Sequence, residues 1–187
     1  MKNILTASLA AVLLAGGAYA EPGAKSAEAH AGHEEAGKTD KAVQQRWAER
    51  IESGAAYAES ELWPDYLELE PISIEDILGT WRGGKFDGGA EPDPINWYGK
   101  RFNSADFVEP LLVNKADGSI GVFDKLGAAR LRDVQFKGKV SATIIYDSQP
   151  IMDYFRKVDD DTIIGWGEVK GESPDFFFWL KRDPAGN

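Results

Sequence analysis

The chain has 187 residues, with 31 acidic side chains against 21 basic ones and a formal net charge of −10. A surface this acidic repels nucleic-acid phosphates and anionic lipid, so neither nucleic-acid binding nor membrane insertion is expected. Cysteine is absent, so no disulfide staples the fold and stability has to come from a hydrophobic core, which a chain of this size can bury.

Residues 1–20 read as a secretion signal: Lys2 supplies the positive start, Ile4 to Ala15 the apolar centre, and Ala18-Tyr19-Ala20 a small-x-small cleavage site. The apolar run is too short for a membrane span, and no cysteine follows the cleavage site to carry a lipid. Cleavage is expected between Ala20 and Glu21, with release into the periplasm or beyond. Residues 21–38 are rich in Ala, Gly and Glu and lack large apolar side chains, so they read as a disordered tail. His30 and His33 beside Glu34 and Glu35 form the chain's one candidate for weak metal binding there. A solvated tail is the simpler reading, and no metal or other cofactor is expected.

The next segment, 39–61, reads as an N-terminal helix. Val43, Trp47 and Ile51 recur on one narrow stripe, which places the helix on the outside of the domain or against a second chain as a dimer. Gly54 weakens or ends it. Leu62-Trp63-Pro64 and Glu70-Pro71 read as an extended connection. Ser73-Ile74-Glu75-Asp76 is a helix start, a hydroxyl cap followed by two acids, but Gly79 limits it to a turn or two.

From there strands are expected near 80–86, 95–102, 108–113, 119–124, 129–136, 139–147, 151–158, 162–169 and 175–182. Turn chemistry separates most of them, as at Asp87-Gly88-Gly89, Asp117-Gly118, Lys137-Gly138 and Asp159-Asp160-Asp161. Short connections imply antiparallel neighbours, and eight or nine such strands close into a barrel able to hold side chains or one small ligand. The fold class is therefore all-β, an antiparallel barrel over residues 62–184 preceded by a helix.

Two matches of residues sharpen this. Gly79-Thr80-Trp81 at the start and Lys181-Arg182 on the last strand resemble the opening and closing of lipocalin-like barrels, which implies that Arg182 stacks on Trp81 to close one end. Such a contact contributes about 0.5–2 kcal/mol. Gly79-Thr80-Trp81-Arg82-Gly83, Trp97-Tyr98-Gly99-Lys100-Arg101-Phe102, Gln149-Pro150-Ile151-Met152-Asp153-Tyr154 and Phe177-Phe178-Trp179-Leu180-Lys181-Arg182 resemble a bacterial family known by its Gly-x-Trp-x-Gly signature, fused to a domain of unknown function. The resemblance implies one barrel shared by both parts, shaped as a cup for a ligand, and carries no reaction.

Absences exclude most catalytic chemistry from the barrel. Both histidines lie in the tail and there is no cysteine, which removes histidine-dependent triads and His-ligated metal sites. No phosphate-binding glycine loop precedes a helix. What remains is Asp, Glu, Tyr, Lys and Arg. Along 139–147, Val140, Ala142, Ile144 and Tyr146 share the face expected to point inward, leaving Asp147 outside or at the rim. Asp153 falls in a row between Ile151 and Phe155, an apolar surrounding that demands a cation, and Arg130 and Arg132 are the expected partners. Trp97, Tyr98, Lys100, Arg101 and Phe102 place aromatics and cations on one strand, with barrel packing and solvated cations the favoured reading. Trp166 between Gly165 and Gly167 leaves room for a ligand or for the N-terminal helix.

The reading that follows is an exported protein holding a small hydrophobic or aromatic molecule, with Trp97, Tyr98, Arg130, Arg132, Tyr146, Asp153, Phe155 and Trp166 as ligand contacts. One alternative is a cofactor-free lyase or isomerase using Asp153, Tyr146 and Arg132. Another is an envelope interaction protein whose barrel is filled and whose helix docks a partner.

Overall fold

In the computed structural model, residues 37–90, 93–171 and 175–186 are described. The expected signal segment, its cleavage site, most of the tail and the His30/His33 pair lie outside the described residues. The alternating patterns and turn residues produce nine strands: β1 (Gly79–Lys85), β2 (Trp97–Ser104), β3 (Phe107–Asn114), β4 (Ile120–Val122), β5 (Ala129–Phe136), β6 (Lys139–Tyr146), β7 (Ile151–Asp159), β8 (Thr162–Val169) and β9 (Phe176–Arg182). All pairings are antiparallel, in the order β2-β1-β9-β8-β7-β6-β5-β3-β4. A further β2–β3 pairing closes the sheet into a ring, with β4 appended to β3. The fold is an all-β barrel.

Three helices precede it. Helix α1 (Lys41–Ser53) starts where Asp40 caps the Ala42 N–H and stops at Gly54, whose φ of 60° ends the helix in the left-handed conformation. Its stripe Val43, Trp47, Ile51 is buried against the outer wall of the barrel, the first of the two placements expected. Each such side chain contributes about 1.5–3 kcal/mol through burial. Helix α2 (Glu59–Glu68) occupies the stretch expected to be extended, and contains Pro64. A proline inside a helix forfeits one hydrogen bond. Here tertiary contacts outweigh that loss. Leu62 and Tyr66 are fully buried, and Asp65 is paired with both Arg46 and Arg50 of α1. Glu61 also accepts the Ala58 N–H to cap the helix start. Helix α3 (Ile74–Ile77) is a single turn, within the turn or two expected, with the Ser73 hydroxyl accepting from the Asp76 N–H.

Two apolar clusters result. One fills the lower half of the barrel around Trp81, Phe102, Ile144, Phe155 and Phe178. The other lies between α1 and α2 and the outer faces of β7, β8 and β9, around Trp47, Tyr66, Trp166 and Phe177. Sandwiched between the two, β8 is buried on both faces, which is why Thr162 to Gly167 reads as a continuous run rather than an alternation. Among the described residues no helix is long and apolar enough to cross a membrane.

Candidate functional site

The Gly-x-Trp-x-Gly segment builds one end of the barrel and shapes the space above it. Gly79 turns the chain out of α3 into β1 with φ of 116°, a conformation that favours glycine. Trp81 is fully buried, and its indole N–H donates to the Ile77 carbonyl at 2.8 Å. The Arg182 guanidinium lies 4.2 Å from the Trp81 ring centre and donates to the carbonyls of Leu78 and Asp76. The barrel is therefore shut at this end, as the lipocalin-like resemblance implies. Gly83 matters differently. A Cβ there would lie 2.3 Å from the far edge of the Trp97 indole, so its absence gives that ring its seat on the inner wall.

Above the closure lies a cavity of about 480 Å³, bounded by apolar side chains such as Trp97, Leu111, Leu126, Ile151 and Phe178. Lys85, Asp93 and Gln149 also line it, and three polar side chains, Lys100, Tyr146 and Asp153, meet one another there. Lys100 and Asp153 are only 3% and 1% exposed, and they form an ion pair of 2.8 Å. The two come from β2 and β7, strands on opposite sides of the ring, so the pair spans the barrel interior. Lys100 Nζ also donates to the Pro110 carbonyl at 3.1 Å and lies 3.4 Å from the Tyr146 hydroxyl. The ammonium sits 5.0 Å from the Phe178 ring centre and within 6 Å of those of Trp97 and Tyr146, a cation–π setting that partly replaces lost hydration. The Tyr146 hydroxyl donates to Asp153 Oδ2 at 3.5 Å.

Burial, then the charge of Asp153 and the hydrogen bond to it, raises the Tyr146 phenol well above its ordinary value. Tyr146 is thus a neutral hydrogen-bond donor. Tyr154 on the outer wall is pushed up to about 12 by burial and by Glu168, and Tyr98 to about 12 by burial and by Asp183. An unfolded tyrosine titrates near 10. The native state therefore keeps protons that the unfolded chain releases, so this contribution to stability is complete below about pH 10 and is lost as pH rises towards about 12. Urea midpoints measured between pH 8 and 11.5 should fall steeply above about pH 10. Phenolate absorbance of these tyrosines should appear with unfolding and not ahead of it.

Of the residues singled out from sequence, Trp97, Tyr146 and Asp153 line the cavity. The others do not. Arg130 is exposed on the outer face, paired with Asp147 at 2.5 Å. Arg132 is exposed and paired with Asp106. Exposed pairs of this kind contribute little, and neither arginine reaches Asp153. Tyr98 turns outward, its hydroxyl bonded to Asp183. Phe155 packs edge-to-face on Phe102 and Phe178 in the filled part of the barrel. Trp166 belongs to the outer cluster, its ring 4.7 Å from that of Trp63 in α2. The room beside Trp166 is thus taken by a helix. Its flanking glycines face the other way, where Gly165 clears Phe178 and Gly167 clears Phe176 and Asp153.

Sequence reasoning missed Lys100 as the partner of Asp153. The signal was present in its position two residues before the buried Phe102, in the same inward row. Bulges around Gly99 then break the alternation and bring Trp97, rather than Tyr98, to the inner wall beside Lys100.

Comparison with known proteins agrees with this architecture. Residues 66–118 match the model of the GXWXG protein family, and residues 127–182 match DUF4334, a domain of unknown function. The chain is similar to a solved structure described as a protein from Thermomonospora curvata, with 45% identity, a TM-score of 0.70, and coverage of 76% of this chain and 99% of that one. No curated protein matches it.

Proposed function

The chain belongs to the family that joins a GXWXG segment to a DUF4334 domain, and from that premise we propose that it binds one small, neutral, hydrophobic or aromatic molecule inside the barrel. The observation that carries this reading is the cavity itself. Its volume of about 480 Å³ falls in the range of ligand sites, and an apolar lining with a few convergent polar groups is their usual make-up. The Lys100–Asp153 pair and the Tyr146 hydroxyl offer a polar anchor at its floor. Around them Trp97, Phe178 and the aliphatic wall supply apolar contact. The cavity and the covering of the α1 stripe by the barrel's own wall both weigh against a filled barrel that docks partners through that helix. Export through residues 1–20 is part of the same proposal. Mass spectrometry of protein recovered from its host should find Glu21 as the first residue.

Calorimetry with two neutral aromatic probes, 2-naphthol and phenylacetone, tests the binding reading. Saturable heat with at least one is expected, with quenching of Trp97 fluorescence. Gly83→Val pushes the Trp97 ring into the cavity and should weaken the affinity about tenfold or more, while overpacking costs the fold about 1–3 kcal/mol. Absence of saturable heat for both probes, or undiminished affinity in Gly83→Val, removes the barrel interior as the binding site.

A further inference from the structure

We propose that the cavity catalyses proton transfer at carbon, by enolising neutral carbonyl compounds that carry an acidic hydrogen next to the carbonyl. The proposal rests on the binding reading above and adds the substrate class and a reaction.

Charge selects the class. Lys100 and Asp153 neutralise one another inside the barrel. Lys85 and Asp93 also line the cavity, with Lys85 3.8 Å from Asp87, so a carboxylate at the floor would add a negative charge beside Asp153 with Lys100 already paired, a costly arrangement. A ketone or aldehyde adds none. It brings only an acceptor oxygen, and donors are what the floor offers. Lys100 Nζ has three hydrogens. Asp153, the Pro110 carbonyl and, at 3.4 Å, the Tyr146 hydroxyl take all three. Tyr146, held protonated, turns its own O–H to Asp153 Oδ2 at 3.5 Å. These two long contacts, Lys100 to Tyr146 and Tyr146 to Asp153, are the ones a carbonyl oxygen seated between the groups takes over. The two donors so redirected are placed to stabilise an oxyanion.

The base is Asp153, which faces the same cavity and shares its Oδ2 with Lys100 and Tyr146. The C–H bond next to the carbonyl breaks and its proton passes to the Asp153 carboxylate. The electron pair forms a C=C bond, and the former carbonyl π pair moves onto oxygen, where Lys100 and Tyr146 hold the charge. Return of the proton to the same carbon exchanges it. Return to the far carbon of a β,γ-unsaturated carbonyl compound gives the conjugated isomer. No oxidant, reductant or second substrate enters the balance.

The test uses the full chain with phenylacetone in D2O, following the benzylic methylene signal by proton NMR alongside calorimetry. The wild-type protein should accelerate loss of that signal with saturation in ketone. Asp153→Asn should fall to the buffer rate. Tyr146→Phe keeps the Lys100–Asp153 pair and, at saturating phenylacetone, should exchange about a hundredfold more slowly. Saturable binding with exchange no faster than buffer overturns the activity and leaves the binding reading standing. Equal exchange in Tyr146→Phe and wild type likewise overturns it. If neither phenylacetone nor 2-naphthol binds, both readings fall.

Discussion

Lys100→Met should destabilise the protein by about 3–5 kcal/mol, because it strands the Asp153 carboxylate in a site with almost no access to water. The pair joins β2 to β7 across the barrel, so the loss should appear as a lowered denaturant midpoint for the whole domain rather than local fraying. For a chain of this length, each kcal/mol shifts the melting temperature by about 2–4 °C. The double variant Lys100→Met with Asp153→Leu removes both charges and keeps much of the volume. Buried pairs replaced in this way are often neutral or stabilising by about 1–4 kcal/mol. The double variant should therefore regain most of the lost stability and yet fail to hold a ligand that needs the polar anchor. Retained affinity in the double variant would reduce the pair to a cross-brace. Failure to regain stability would instead mean that the pair's hydrogen bonds to Pro110 and Tyr146 outweigh its desolvation.

How this pair escaped sequence reasoning shows what a linear reading can reach. The strands were legible because most of them alternate, β8 being a continuous apolar run, and because turn residues separate most of them. The expected 129–136 and 162–169 coincide with β5 and β8, and the other edges differ by at most two residues. The closed end was legible because Gly79, Trp81 and Arg182 each carry a strong local demand. Asp153 stood out as an acid in an apolar row. Its partner did not, because inside a closed barrel side chains meet across the interior, and a cation 53 positions earlier on an opposite strand leaves no local signature. Neighbouring Arg130 and Arg132 were near in sequence but pointed to the wrong side, since Ala129 and Leu131 hold the inward positions of β5.

The same parity explains Trp166. In a Gly-Trp-Gly strand the tryptophan and the glycines face opposite walls, so space opened by Gly165 and Gly167 is not space beside Trp166. Helix α2 was hidden by Pro64, an interior proline that only tertiary contacts can tolerate. Leu62, Asp65 and Tyr66 supply those contacts, and nothing in the local sequence announces the surface they pack on.

Trp81→Ala is expected to cost about 3–5 kcal/mol, the range for deleting a buried large aromatic side chain, and for this chain length a fall of roughly 6–20 °C in melting temperature. Three losses combine. The fully buried ring leaves a void at the base of the inner cluster. Arg182 loses the face it covers, a contact of about 0.5–2 kcal/mol. The Ile77 carbonyl loses its donor inside the core, an unsatisfied group worth about 1–3 kcal/mol. Trp81→Phe separates these, because it keeps a ring beneath the guanidinium but not the N–H, and should cost distinctly less. Arg182→Met keeps the indole and removes the cap, together with the bonds that tie α3 to β9. If closure works through the stack, Arg182→Met should cost distinctly less once Trp81 is already alanine, the remainder being its bonds to Leu78 and Asp76. Fully additive losses, or a Trp81→Ala variant melting within a degree or two of wild type, would show that the end of the barrel is held shut by something other than this pair.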